Sequence, residues 1–214
     1  MQKIRPVVPL ILVFIVTLLI AATPYDQIPT IFNGLVPVGS KLVSQSFIRR
    51  DSGEGEMKIT MINVTFTASK RYNASHTDFD SEFRFNLDEL VYPEVLIQTQ
   101  GKYYKMALES DIESVRKSYA NRKSDPTISY DTPKETKYPW GWGITQRVHH
   151  KYMGAGSAPD DISYHGEYLG MLINGPVIKK FKFSVSGVES AQEADQWAKA
   201  CAEQIMNVTP DQIQ

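Results

Sequence analysis

Apolar and polar residues alternate along this chain in two blocks, and each block of predicted strands precedes a predicted helix. In 58–68 and in 82–87 apolar side chains recur at every second position, which is typical of a strand with one buried face. The phase slips at Ile62-Asn63, and one extra residue in such a pattern indicates a β-bulge. We therefore predict two half-buried strands, the first of them bulged.

The first block ends in a predicted hairpin and a short helix. Apolar runs at 94–99 and 103–108 flank Gln100-Gly101, which predicts two strands joined by a turn. A capping box at Ser110–Glu113 then satisfies free backbone N–H groups at a helix start. The spacing of the following apolar residues predicts an amphipathic helix to about Asn121.

The second block predicts more strands and the clearest helix of the chain. Strands are expected at 144–153, 162–173 and 177–185, with a tight turn at Asn174-Gly175 between the last two. A second capping box at 190–193 begins a helix that ends near residue 206. Its apolar stripe consists of Ala194, Trp197, Ala198, Cys201 and Ile205. In a parallel α/β sheet, strands and helices alternate along the chain, whereas here several strands follow one another before each helix. This order predicts an α+β fold with a mainly antiparallel sheet and two amphipathic helices.

An uncharged, mainly apolar run extends from Val7 to Ala22, after Lys3 and Arg5. A basic flank before such a run marks a signal peptide or an uncleaved signal anchor and stays in the cytoplasm. The run has 16 residues, fewer than the ~17–20 that span a bilayer, which favours a signal peptide. Ile20, where a cleavage site needs a small residue, disfavours cleavage. We predict a retained transmembrane anchor at 7–23, with a cleaved signal peptide and secretion as the alternative.

These patterns divide the chain into five parts. Prolines between Thr23 and Ser40 exclude one regular helix there and predict a semi-rigid segment beside the membrane. The predicted parts are a cytoplasmic tip (1–6), the signal anchor or signal peptide (7–23), a membrane-proximal collar (24–50), one extracytoplasmic α+β domain (51–208) and a tail (209–214).

Charge and cysteine content limit the compartments and the classes of partner that we expect for this chain. The formal net charge is −1 for the whole chain and becomes −3 without Lys3 and Arg5. This small, mixed charge disfavours nucleic acid, which needs clustered basic residues. Cys201 is the single cysteine, so no intramolecular disulfide can form. Exported animal domains usually carry several disulfides, so we expect a bacterial inner-membrane protein with a periplasmic domain.

Candidate catalytic and metal-binding groups are weak in this sequence. Ser163, His165 and Glu167 share one face of a predicted strand, but their side chains stand about 7 Å apart and a catalytic triad must converge within about 3 Å. We expect this polar face to lie in solvent. His149 and His150 are adjacent in a strand and point to opposite faces, which disfavours a shared metal ion. We predict no catalytic residue, no metal site and no cofactor.

Aromatic residues end a long predicted loop, 123–143, that contains three prolines. Tyr138, Trp140 and Trp142 could close the domain's own core or could bind a partner. The intervening Gly141 allows the two indole rings to separate. We therefore expect one ring to anchor the loop and the other to be available for recognition.

These expectations point to protein–protein interaction rather than catalysis. The preferred hypothesis is a single-pass anchored accessory subunit of a bacterial envelope assembly of the secretion, conjugation or pilus type, with other envelope or membrane proteins as partners. The alternative is a sensory or regulatory membrane partner that binds a small ligand. An exported hydrolase is the third hypothesis, and it needs a site that the sequence does not contain.

Overall fold

The chain folds as an α+β domain in the computed structural model, which describes residues 28–73, 78–151, 161–209 and 212–213. A short 3₁₀ turn at Thr30–Leu35 precedes the first strand. The strands are β1 (Lys41–Ser52), β2 (Ile59–Asn73), β3 (Asp78–Val91), β4 (Ile128–Tyr130), β5 (Lys134–Tyr138), β6 (Gly141–His150), β7 (Asp161–Asn174) and β8 (Val177–Val188); the helices are α1 (Glu94–Ala120) and α2 (Ala191–Asn207).

The described strands form one antiparallel sheet in the order β1-β2-β3-β8-β7-β6-β4, and β5 pairs with the beginning of β6. The two blocks of strands meet in the middle of the sheet, where Phe85 on β3 lies opposite Phe183 on β8. Neighbouring side chains of a strand point to opposite faces. We call the face that packs against α2 the first face, and the face that packs against α1 the second face.

The first face carries the main core. Phe66 and Phe85 stack with ring centroids 4.9 Å apart. Helix α2 covers the β7–β8 half of this face, and Trp197 Nε1 donates a hydrogen bond of 2.7 Å to the carbonyl oxygen of Leu35. The 3₁₀ turn covers the other half with Phe32, which is fully buried. This face is therefore closed by two separate segments.

Helix α1 packs on the second face over β6, β7 and β8. Gly101 permits a close approach to the sheet, because a Cβ there would lie 2.8 Å from Cδ1 of Ile173. Near the end of the helix, Val115 and Tyr119 are buried against Trp142. The same face of β1 and β2 has no described helix above it.

The predicted hairpin at 94–99 and 103–108 is wrong, because both runs belong to the 27-residue helix α1. The helix predicted to end near Asn121 is confirmed as the C-terminal part of α1, but its predicted start at the capping box Ser110–Glu113 is wrong, because these residues lie inside the helix, which begins at Glu94. Gly101 serves helix–sheet contact instead of a turn. The residues facing the sheet recur every three or four positions: Ile97, Gly101, Tyr104, Leu108, Ile112, Val115 and Tyr119.

The predicted bulge at Ile62-Asn63 is also wrong. Strand β2 pairs with β1 and β3 without a shift there, and the shift in β1 lies between Leu42 and Ser44. Ile62 continues the buried phase of the first face, whereas Met61 points to the second face and is 42% exposed. Apolar residues on both faces, not an extra residue, produced the apparent slip.

The α+β class, the mainly antiparallel sheet and the C-terminal helix are confirmed. Ser190 Oγ accepts a hydrogen bond of 3.1 Å from the Glu193 N–H, as the capping box predicts. Cys201 is fully buried on the apolar stripe of α2, and burial raises the pKa of its thiol. Gly175 adopts a φ of +54° in the tight turn between β7 and β8.

Both ends of the described chain join the main core. In the predicted collar, 24–50, the buried Phe32 and Phe47 pack with the sheet. In the predicted tail, 209–214, Ile213 is fully buried. These parts are therefore continuous with the domain wherever they are described.

The predicted anchor, 7–23, lies outside the described residues. Within the described ranges, no helix combines the length and the apolar character needed to cross a membrane. The anchor therefore stays a prediction.

A buried ion pair fastens the end of α2 to the sheet. The Lys179 Nζ atom on β8 lies 3.3 Å from a carboxylate oxygen of Glu89 on β3, and both side chains are almost fully buried. Lys179 also donates hydrogen bonds to the carbonyl oxygens of Ile205, at 2.8 Å, and Val208. A cation at these last carbonyls stabilises the helix end. Burial raises the pKa of Glu89, and the ammonium of Lys179 opposes that rise.

Candidate interaction surface

The segment predicted as a long loop, 123–143, contains strands β4 and β5 and the start of β6. Both short strands pair with β6, at opposite ends of it. Pro126, Pro133 and Pro139 lie outside β4 and β5, where the missing N–H interrupts no pairing. The three prolines thus separate short strands, and the loop prediction is wrong.

Trp140 closes the first face beside α2. Its ring is 8% exposed, stacks on Tyr138 with centroids 4.5 Å apart, and lies 5.8 Å from the ring of Phe181. The Tyr138 hydroxyl donates a hydrogen bond of 2.9 Å to Oδ1 of Asp195 on α2. The buried Tyr168 donates to the same oxygen at 2.7 Å. These contacts join β5 to the helix.

Trp142 points to the second face, under α1, and is 5% exposed. Its Nε1 donates a hydrogen bond of 2.8 Å to Glu135, and Arg116 from α1 donates to both oxygens of the same carboxylate at 2.7 and 2.9 Å. Hydrogen bonds from Arg116 and then Trp142 lower the pKa of Glu135 to about 2. Trp142 therefore anchors α1 to the sheet by packing and through a shared carboxylate.

The expectation that one indole ring would be exposed is wrong, because Trp140 and Trp142 are both buried, on opposite faces of the sheet. Two residues of one strand at this spacing would share a face. Trp140 lies in the turn before β6 and Trp142 lies within β6, so their side chains point to different faces. Tyr138 is half-buried. The role of Tyr138, Trp140 and Trp142 in recognition is not tested by these contacts and stays a prediction.

The polar residues of β7 do not form the solvent-facing row that we expected. Ser163 is fully buried, and its Oγ lies 2.8 Å from Nε2 of His150. Glu167 instead forms an ion pair of 2.7 Å with Lys182. His149 lies on the other face, 2.9 Å from Asp131, so the prediction that His149 and His150 point apart is confirmed.

His165 is expected to make the fold sensitive to acid. Burial, followed by the charges of Arg122 and His150, lowers its pKa from 6.5 to about 4. Below pH 6.5 the unfolded chain therefore binds a proton that the folded chain does not take up, and stability falls as the pH drops towards 4. The His165→Gln variant should lose less stability over this range in urea unfolding. His149→Gln is the matched control, and equal acid sensitivity of wild type and His165→Gln would contradict the assignment.

An open groove lies on the second face, between α1 and strands β1–β3. It encloses about 380 Å³, with Arg50 at its rim. The hydroxyl groups of Tyr92 and Tyr104 lie 3.2 Å apart within it. We define the open groove by its apolar lining: Ile48, Met61, Leu90, Tyr92 and Tyr104.

Exposed apolar side chains concentrate around the open groove. Ile48 is 40% exposed and Met61 is 42% exposed. Several others lie at the same end of the sheet or on the first half of α1: Met57, Val95, Tyr103, Met106 and Ile173. Exposed apolar residues that concentrate in one region mark a binding site more often than scattered single residues do.

Comparisons with protein families, with curated proteins and with solved structures found no match to this chain.

The residue pattern of β2 contains a partial signal for this groove. The side chains of Ile59 and Met61 break the alternation of β2 by placing apolar residues on both faces. The break is typical of a bulge in sequence, but in the structure it marks the point where the second face becomes apolar.

Proposed function

We propose that this chain is a single-pass protein of the bacterial inner membrane whose periplasmic domain binds another envelope protein through the open groove. The apolar run at 7–23 serves as the anchor. The observation that carries the proposal is the exposure of Ile48 and Met61 at a largely apolar groove that α1 borders on one side, through Tyr104, and that no described helix closes. The domain acts as an accessory binding subunit and not as an enzyme.

The occupant that fits is one amphipathic helix of the partner. Helix α1 lies over β6–β8 and reaches the end of β3, where Leu90 is buried in a cluster with Ile97 and Tyr104, and it leaves the second face of β1, of most of β2 and of the rest of β3 open. Three strands spaced about 4.8 Å apart offer a width of roughly 14 Å. A helix with its side chains is about 10–12 Å across, so one helix fits beside α1 as a second member of the same layer.

The charge at the rim adds a condition on that helix. Arg50 is exposed and has no ion pair with a carboxylate among the described residues. Asp88, at the floor, already accepts a hydrogen bond of 2.6 Å from Asn63. An acidic residue next to the apolar stripe of the partner helix would pair with Arg50, which favours a correctly oriented complex.

Met61→Glu should abolish recovery of the partner when the full-length chain is purified in mild detergent. Position 61 lies directly opposite Arg50 on β1, so a glutamate there would pair with Arg50, remove the apolar contact and repel the acidic residue of the partner helix. Both groups stay hydrated in the free chain, so binding is lost while the melting temperature is almost unchanged. Met206→Glu is the matched control, because Met206 is 40% exposed on α2. Equal recovery with both variants would contradict the proposal.

A photo-crosslinking residue at position 61 identifies what occupies the groove. A crosslinked peptide with an amphipathic helical pattern and an acidic residue beside its apolar stripe supports the proposal, provided that position 206 gives no such product. A crosslink to a second copy of this chain, or retention of a small molecule in place of a protein, would replace the proposed partner.

A further inference from the structure

A short tether joins the proposed anchor to the folded domain. The anchor ends at Thr23, and the backbone N–H of Ile28 already donates a hydrogen bond of 3.3 Å to Oε1 of Gln45 on β1. An extended chain gains at most about 3.6 Å per residue, so this tether reaches at most about 18 Å. The first half of β1 must therefore lie close to the membrane surface.

An exposed apolar rim lies at the beginning of β1. Val38 is 96% exposed, Val43 is 61% exposed and Leu42 is 38% exposed. Val38 occupies the tip of a tight turn in which the Ser40 N–H donates to the Pro37 carbonyl oxygen at 2.9 Å. We call Val38, Leu42 and Val43 the apolar rim.

The surroundings of the rim suit a lipid surface. Strand β1 is at the edge of the sheet, and no described strand pairs with its outer side. Lys41 is exposed between the members of the rim. Segments that bind a membrane interface combine two kinds of residue. Apolar side chains enter the boundary between headgroups and acyl chains, and basic side chains lie beside anionic headgroups.

We propose that the apolar rim rests on the outer leaflet of the membrane that holds the anchor, with Val38 and Val43 inserted at headgroup level and Lys41 beside lipid phosphates. The inference rests on the proposed anchor. Strand β1 has 12 residues, which extend about 40 Å. If it leads away from the bilayer, the open groove faces a partner in the periplasm.

Fluorescence quenching in vesicles tests this contact with the full-length chain. The chain is reconstituted into phosphatidylethanolamine and phosphatidylglycerol vesicles after an environment-sensitive fluorophore is attached to the Val43→Cys variant. Cys201 is fully buried, so the fluorophore reacts with the introduced thiol. Met57→Cys is the matched control, because Met57 is 51% exposed and lies beyond the far end of β1.

A nitroxide on the lipid headgroup should quench the fluorophore of Val43→Cys and leave that of Met57→Cys unchanged. If the chain floats with the vesicles and neither fluorophore is quenched, the rim contact is overturned and the anchor is retained. Quenching of both fluorophores overturns the proposed orientation, in which β1 leads away from the bilayer. A chain that does not float with the vesicles overturns the anchor, and the rim contact with it.

Discussion

Replacing Lys179 with Ala should lower the free energy of unfolding by about 3–5 kcal/mol. The variant leaves Glu89 buried without its cation and removes a donor from the carbonyl oxygens of Ile205 and Val208. The Glu89 carboxylate is buried, so water cannot replace the interaction that is lost. Urea unfolding of the full-length chain in mild detergent, followed by far-UV circular dichroism, measures the change.

The pH dependence of this variant gives a second test. Removing Lys179 removes the ammonium whose charge and hydrogen bond most oppose the rise of the Glu89 pKa, so the already raised pKa rises further. An acid with a raised pKa in the folded state loses stability as the pH increases from its unfolded to its folded pKa. The deficit of Lys179→Ala relative to wild type should therefore be larger at about pH 8 than at about pH 5.

Lys180→Ala is the matched control for the ion pair. Lys180 is the next residue of β8, points to the second face, and pairs with Asp111 at 2.5 Å near the surface. Such partly exposed pairs contribute about 0–1 kcal/mol. Similar losses for Lys179→Ala and Lys180→Ala would contradict a special role of the buried pair. The double variant Glu89→Leu with Lys179→Met should recover part of the loss, because it removes both charges.

Trp140→Ala and Trp142→Ala should each lower the free energy of unfolding by about 3–5 kcal/mol. Trp140 leaves a cavity between Tyr138 and Phe181, and Trp142 leaves one under α1. Both effects are large because both rings are buried, although they act on different faces of the sheet. Chemical unfolding of each variant, compared with wild type, measures them.

Two further substitutions separate ring burial from hydrogen bonding. Trp142→Phe keeps an aromatic ring but removes the donor to Glu135, so it should cost about 1 kcal/mol. Tyr103→Ala is the control for an exposed aromatic residue, since Tyr103 is 67% exposed on α1, and it should stay within about 0.5 kcal/mol of wild type. A small loss for either Trp→Ala variant would show that its ring is free for another role.

The C-terminal helix could be predicted closely because its local signals agree with its packing. Ser190 and Glu193 specify the start, and the stripe through Trp197 and Cys201 specifies the buried side. Strands β7 and β8 were also predictable, because Asn174-Gly175 is a strong turn signal between two alternating runs. In these elements no long-range contact changes what the local sequence favours.

Helix α1 shows why local signals fail elsewhere. The run 94–99 has the composition of a strand, and Gly101 reads as a turn when only its neighbours are considered. The contact between Gly101 and Ile173 joins residues far apart in the chain, so the reason for the glycine is tertiary. The spacing from Ile97 to Tyr119 over more than five turns was the signal that could have outweighed composition.

The sequence indicates only that the second face of β2 carries apolar residues, and it could not predict the open groove itself, because the groove is a place where a layer is missing. Ile48 and Met61 look like ordinary strand residues on either side of the β1–β2 turn. Their exposure follows from the position of α1 over β6–β8, which only the assembled sheet defines. A surface of this type is a property of topology and not of any motif.

The β3–β8 pair lies in the middle of the sheet, and this position limits the order in which the strands can fold. Strand β3 ends at Val91, and its partner β8 begins only at Val177. A chain that crosses a membrane from its N-terminus would deliver β1–β3 with an unpaired inner edge and an uncovered aromatic face. Long-range pairing of this kind closes late and leaves apolar strands open to aggregation meanwhile. Chaperones that hold the first three strands until the last strand emerges would therefore set the yield of the native protein.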